Sequence, residues 1–137
     1  MQSRLNPYLN FPGTARGALE FYHRVFGGEL TMNTFGDFGN PDPDLAAQIM
    51  HGQLETPSGF TLMASDLPPG MTHVPGTNIT ISLSGDDHDE LFGYWEQLST
   101  NGSVTVPLEK QMWGAEFGQC VDPYGIGWLV NIALPEG

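Results

Sequence analysis

A layout that occurs twice constrains this chain more than any single residue does. FPGTARGALEFYHRVFGG (11–28) carries a helical stripe from a glycine near its start to a glycine pair at its end, and LSGDDHDELFGYWEQLSTNG (83–102) repeats it. Leu19, Tyr22 and Phe26 stand three and four residues apart, and Leu91, Tyr94 and Leu98 recur at the same spacing, which places each trio on one helix face. Thr14, and Asp86 or Asp87, are the expected N-caps, while Gly27-Gly28 and Asn101-Gly102 tolerate the left-handed backbone that ends a helix. A strand, a capped helix, a glycine stop and a further strand in the same order twice predict two related modules.

Each helix is preceded by an alternating segment. In LNPYLNF (5–11), Leu5, Leu9 and Phe11 fall on one face and Asn6, Tyr8 and Asn10 on the other; in NITISL (78–83), Ile79, Ile81 and Leu83 oppose Asn78, Thr80 and Ser82. ELTMNTF (29–35), AAQIMHGQLET (46–56) and FTLMAS (60–65) complete the first half as βαβββ. SVTVPL (103–108), residues 116–121 and IGWLVNI (126–132) complete the second, with Asp122-Pro123-Tyr124-Gly125 as the last hairpin turn. In the final strand Trp128, Val130 and Ile132 share the core face, opposite Leu129 and Asn131. The predicted fold is α+β: one domain over 1–137, built of modules near 4–66 and 77–134, each with a helix backing a small curved mixed sheet. At 137 residues such a domain buries roughly two thirds of its unfolded surface.

Charge narrows the partners. Four Lys and Arg against sixteen Asp and Glu give a formal net charge of −12. No basic cluster is available to release counterions from a phosphate backbone, so nucleic acid and anionic membranes are excluded as expected partners, and a cation is weakly preferred over an anion as a ligand. The single cysteine, Cys120, has no partner within the chain for a disulfide and no neighbouring base in sequence to make it a thiolate nucleophile. With no apolar leader and no continuous apolar run of about 18 residues, the expected location is cytoplasmic. The acidic segment GDFGNPDPD (36–44) lacks the spacing and terminal glutamate of a calcium loop and is expected to be a solvated loop.

The paired modules, with PYLNF, ALEFYHRVFGG, IMHGQL, LMASD, MWGAEFG and DPYGIGW, resemble the vicinal oxygen chelate superfamily of glyoxalases, bleomycin resistance proteins and extradiol dioxygenases, and within it the PhnB-like branch. The resemblance implies an open cup formed by two βαβββ modules, commonly in a homodimer. In metal-using members the first strand of each module offers His or Gln and the last strand Glu. Here the implied positions fall on Asn6, Asn78 and Leu129, and FTLMAS has no carboxylate, so neither a metal nor another cofactor is expected.

The remaining candidates are amides, aromatics and one histidine. His51 alternates with Gln53 and Glu55, and with Ile49, on one strand face; it is read either as a proton donor or acceptor for catalysis or ligand contact, or as a hydrogen-bonding residue that orders the sheet. Tyr8, Asn10, Asn78 and Asn131 supply a polar floor, Gln53 adds an amide, and Trp113 and Phe117 in the loop 110–118 either cover a ligand or pack across a dimer seam. The expected function is metal-independent binding of a small organic ligand, aromatic in part or cationic, in a pocket lined by Tyr8, His51 and Trp113. Two alternatives stay open: a lyase, isomerase or transferase acting in the same cup, and a dimer module without a ligand.

Overall fold

The computed structural model describes residues 3–135, and the chain divides into two compact units, Met1–Val74 and Pro75–Gly137. The first contains β1 (Tyr8–Phe11), α1 (Ala15–Phe26), β2 (Glu29–Thr34), β3 (Ile49–Glu55) and β4 (Thr61–Asp66), in the sheet order β1-β4-β3-β2. The second contains β5 (Ile81–Gly85), α2 (His88–Ser99), β6 (Ser103–Lys110), β7 (Ala115–Val121) and β8 (Gly127–Ala133), in the order β5-β8-β7-β6. In both, the first strand runs parallel to the last and the remaining pairs are antiparallel, so each βαβββ module closes as a mixed sheet. The repeat in the sequence is a repeat in the fold.

The helical stripes go where their periodicity sends them. Leu19, Tyr22 and Phe26 of α1 are buried with Ala15, Ala18 and Val25, and Leu91, Tyr94 and Leu98 of α2 are buried with Trp95. On the sheets, Leu54, Leu62 and Ala64 meet the first helix, and Trp128, Val130 and Ile132 line the second core. A glycine stands opposite each helix: a Cβ on Gly52 would come within 2.2 Å of Leu19 Cδ1, and one on Gly118 within 2.8 Å of Trp95 Cη2 and 2.9 Å of the Leu108 Cα. Close helix–sheet contact therefore requires the missing side chain at the same place in each module.

Several expectations about the elements are corrected. Leu5 is fully exposed and outside β1, because Pro7 has no N–H for the ladder and offers only its carbonyl, to Met63 N. Ile79 is 82% exposed and Asn78 precedes the strand: β5 begins opposite Trp128, and its partner β8 begins at Gly127, so earlier residues have no ladder to join. Ile49 does not share the face of His51. The register slips so that Asn33 pairs His51 while Thr34 pairs Ile49, and this bulge turns Ile49 into the core at 0% exposure. Thr14 occupies the N-cap of α1 without a side-chain cap; Asp66 from the end of β4 accepts from Ala15 N at 2.9 Å and from Ile49 N at 2.8 Å. Asp87, by contrast, caps α2 itself through Glu90 N. The loop expected at 110–118 is a hairpin whose turn is only Gln111 to Gly114, closed by Gln111 N to Ala115 O and Gly114 N to Gln111 O.

The expected DPYG turn is present, and its carboxylate explains it. Asp122 is 3% exposed and accepts from Tyr124 N, Ile126 N and Trp128 Nε1, pinning the turn to the largest buried side chain of the module.

Candidate functional site

In the first unit, alternation sorts the sheet residues onto two faces. Leu9, Phe11, Gly52, Leu54, Leu62 and Ala64 point to the helix, so Tyr8 and Asn10 of β1, Met63 and Ser65 of β4, and His51 and Gln53 of β3 share the other. Register arranges them in rows. Met63 lies between Tyr8 and Gln53, and Ser65 is paired with Asn10. One row further along, Thr61 is paired with Glu55.

Tyr8 and His51 are brought together across β4. The phenol oxygen lies 3.4 Å from His51 Nδ1, and the ring centroids are 5.8 Å apart at a 36° tilt. When Nδ1 accepts from the phenol O–H, the histidine keeps its Nε2–H to donate elsewhere; in the other tautomer the phenol oxygen accepts. Tyr8 is 45% exposed and His51 half-buried, so both keep a side open. Gln53 Nε2 donates to Glu55 Oε1 at 3.2 Å. The guanidinium of Arg4 donates to Thr61 Oγ1 at 2.6 Å and stands 3.9 Å from Glu55 Oε1. Sequence reading did not single out Arg4. Its signal was scarcity, since it is one of four Lys and Arg residues and lies just before the first strand.

In the second unit the other candidates fall apart into two places. Phe117 and Asn131 are cross-strand partners on the face away from α2, and Asn131 is also paired with Ser84 of β5. Trp113, in the hairpin turn and 66% exposed, meets Phe117 edge-on with centroids 6.0 Å apart. Asn78 lies exposed before β5, outside this group. His88, the first residue of α2, lies near Asp89 and Glu116 and stacks on Phe92. Cys120 is 2% exposed; burial, and then the neighbouring Asp122 carboxylate, push its thiol up to about 11, so it stays protonated at neutral pH.

The implied metal positions do not fit a metal. Asn6 and Asn78 lie outside the strands, and the first-strand residues opposite Met63 and Leu129 are Tyr8 and Ser82. Amides, a thioether, a phenol, a hydroxyl and an alkyl chain are not the imidazole and carboxylate set that a divalent cation needs. Among the described residues, no three His, Cys, Asp or Glu stand close enough together to hold one.

Two mixed sheets, each backed by one helix, place the protein in a class, and comparison with known proteins agrees. The family model described as the Glyoxalase/Bleomycin resistance protein/Dioxygenase superfamily matches residues 4–130, and the chain belongs to that superfamily. Protein Mb0911c of Mycobacterium bovis is 31% identical over 144 residues, covering 99% of this chain and 87% of that protein. The crystal structure of protein PA1353 from Pseudomonas aeruginosa is 36% identical with a TM-score of 0.88, covering 98% of this chain and 100% of that one. The PhnB protein of Bacillus cereus shares the fold at 20% identity and a TM-score of 0.74, over 96% and 100% of the two chains, which puts a PhnB protein among the structural neighbours. No helix of the described residues is long and apolar enough to cross a membrane.

Proposed function

We propose that the face of the first sheet around Tyr8 and His51 binds a small organic ligand without a metal. The observation that carries this reading is the Tyr8–His51 contact across β4, with each side chain still partly open. A phenol and an imidazole joined in this way present a ring edge, an N–H or lone pair, and the half-buried Met63 beside them, while Asn10 and Gln53 add polar contacts on the same face. Chemical-shift titration with a small-molecule library, read at Tyr8 and His51, tests it. Hits should lose affinity by about tenfold in His51→Ala. A library in which every hit binds His51→Ala and wild type equally would overturn the reading.

The enzyme alternative rests on the same pair, since a histidine held by a phenol is a competent proton relay. Turnover of a hit, lost in His51→Ala with the fold retained, would convert binding into catalysis. For the second unit we propose a homodimer contact: Met112 is fully exposed and Trp113 about two thirds exposed in the hairpin turn, a costly display unless something covers it. Light scattering of wild type and Trp113→Ala tests that, with a dimer expected for the first and a weaker one for the second.

A further inference from the structure

We infer that Arg4 forms an anion subsite at one end of the Tyr8–His51 face, so that the ligand is a small acid with an apolar body; this rests on the binding reading above. The other three Lys and Arg residues lie on α1 (Arg16 and Arg24) and β6 (Lys110), which leaves Arg4 as the one Lys or Arg at this face among the described residues. Its head group is fixed on one side and loosely paired on the other. Thr61 Oγ1, in a residue 7% exposed, accepts from one guanidinium nitrogen at 2.6 Å, which sets the position of the fork. The partner carboxylate, Glu55 Oε1, stands at 3.9 Å, with the two side chains 52% and 54% exposed. That is a water-exposed ion pair of little strength, and Glu55 keeps Gln53 as a second partner if it is displaced. An incoming carboxylate can take the fork bidentately in its place, a geometry the present pair does not reach.

The spacing suits an amphiphile. Thr61 and Met63 are two residues apart on β4, about 7 Å, and Met63 is the strand partner of Tyr8. A carboxylate on Arg4 thus places an apolar body on Met63 and its far end toward the phenol and imidazole. The net charge of −12 argues for a cation only at long range. Screening cuts such fields within about 8 Å at physiological salt, so the contact group decides the sign of the ligand.

The test uses three para-substituted phenols that differ in charge: 4-hydroxyphenylpropionate, neutral 4-ethylphenol and cationic tyramine, each titrated while the His51 ring and Met63 methyl resonances are followed. The propionate is expected to bind about tenfold tighter than 4-ethylphenol, and tyramine weakest. Arg4→Gln should erase that preference and leave 4-ethylphenol unchanged, whereas Glu55→Gln, by removing the competing carboxylate, should tighten the propionate several-fold. Tightest binding by tyramine, or an unchanged propionate affinity in Arg4→Gln with its circular dichroism intact, overturns the subsite. If Arg4→Gln fails to fold, Glu55→Gln decides: weaker propionate binding refutes it. Equal binding of all three phenols leaves the Tyr8–His51 reading standing and removes Arg4. No shift at His51 or Met63 with any of the three probes overturns the subsite, and the library titration above then decides the Tyr8–His51 reading.

Discussion

The two modules repeat one backbone and differ in what they put on its open face. His51-Gly52-Gln53 on β3 corresponds to Phe117-Gly118-Gln119 on β7: each glycine sits against its helix, each glutamine faces away, and the residue before is an imidazole in one module and a phenyl ring in the other. The hairpin turns match as well. Thr56 and Asp122 each open a turn closed by a left-handed glycine, Gly59 or Gly125, and each caps the following strand with its side chain. What holds the fold is common to both; what can recognise a polar molecule, the Tyr8–His51 pair, has no counterpart where Ser82 and Phe117 stand. Under the proposed function, this difference is what puts ligand recognition on the first module and the exposed aromatic contact on the second.

The glycines offer the sharpest way to break the comparison. A methyl group at Gly118 meets the backbone of Leu108 at 2.9 and 3.0 Å, whereas at Gly52 the overlap is with Leu19 Cδ1, the far end of a flexible chain. Gly118→Ala should therefore cost more than ~3 kcal/mol and Gly52→Ala clearly less, with Gly52→Ala and Leu19→Ala less than additive in a double-mutant cycle. Chemical denaturation measures all of these. Equal costs at both glycines would mean that the Leu108 backbone of β6 yields as readily as the Leu19 side chain.

Next in size is the carboxylate that joins three elements of the first module. Asp66 is 2% exposed and satisfies Ala15 N and Ile49 N, so Asp66→Ala leaves two backbone donors without their acceptor. The expected loss is ~2–3 kcal/mol, with Asp66→Asn recovering part of it. A loss below about 1 kcal/mol would show that Ala15 N and Ile49 N find other acceptors.

Cys120 occupies the position that Leu54 holds in the first module, two residues beyond the helix-facing glycine, and behaves as a core group. Its thiol is raised from 9.0 to about 11 in the folded protein. Below pH 9 the folded and unfolded thiols are both protonated and nothing is lost. Between about 9 and 11 the unfolded thiol ionises while the folded one does not, so stability falls as pH rises through that window. Cys120→Ala should show a shallower alkaline decline in melting temperature, and the native wild-type thiol should resist iodoacetamide at neutral pH. Rapid native alkylation would contradict a buried, protonated thiol.

Legibility in the sequence followed the range of the interaction. The helices, the glycine stops, the DPYG turn and the core face of Trp128 were readable because each depends on residues a few positions apart. Leu5 and Ile79 were misread because alternation says which face a residue would take in a strand, not whether a partner strand is there to pair with it. The bulge that turns Ile49 inward is set by pairing with β2, and no local pattern announces it. At the candidate site, alternation put Tyr8, Asn10, His51 and Gln53 on the open face, yet their grouping depends on β1 joining β4, which brings residue 8 beside residue 63. Scarcity marked Arg4, but its placement was hidden for the same reason: its partners, Thr61 and Glu55, are distant in sequence and adjacent only in the sheet.

The smallest effect separates the two helix starts. Thr14 and Asp87 are both cap-forming residue types in the capping position, and sequence alone gives them equal roles. In α2 the Asp87 carboxylate accepts from Glu90 N at 3.1 Å, so Asp87→Ala should cost ~1 kcal/mol. In α1 the Thr14 hydroxyl caps nothing, because its φ of −109° and ψ of 11° are not those of an extended cap; Asp66 from β4 instead supplies an acceptor to Ala15 N. Thr14→Ala should therefore change stability by less than ~0.5 kcal/mol. Melting temperatures of the two variants decide between a local and a long-range cap for the first helix. If Thr14→Ala proved as costly as Asp87→Ala, the hydroxyl would be a working cap for Arg16 N or Gly17 N, beside the bond that Asp66 makes to Ala15 N.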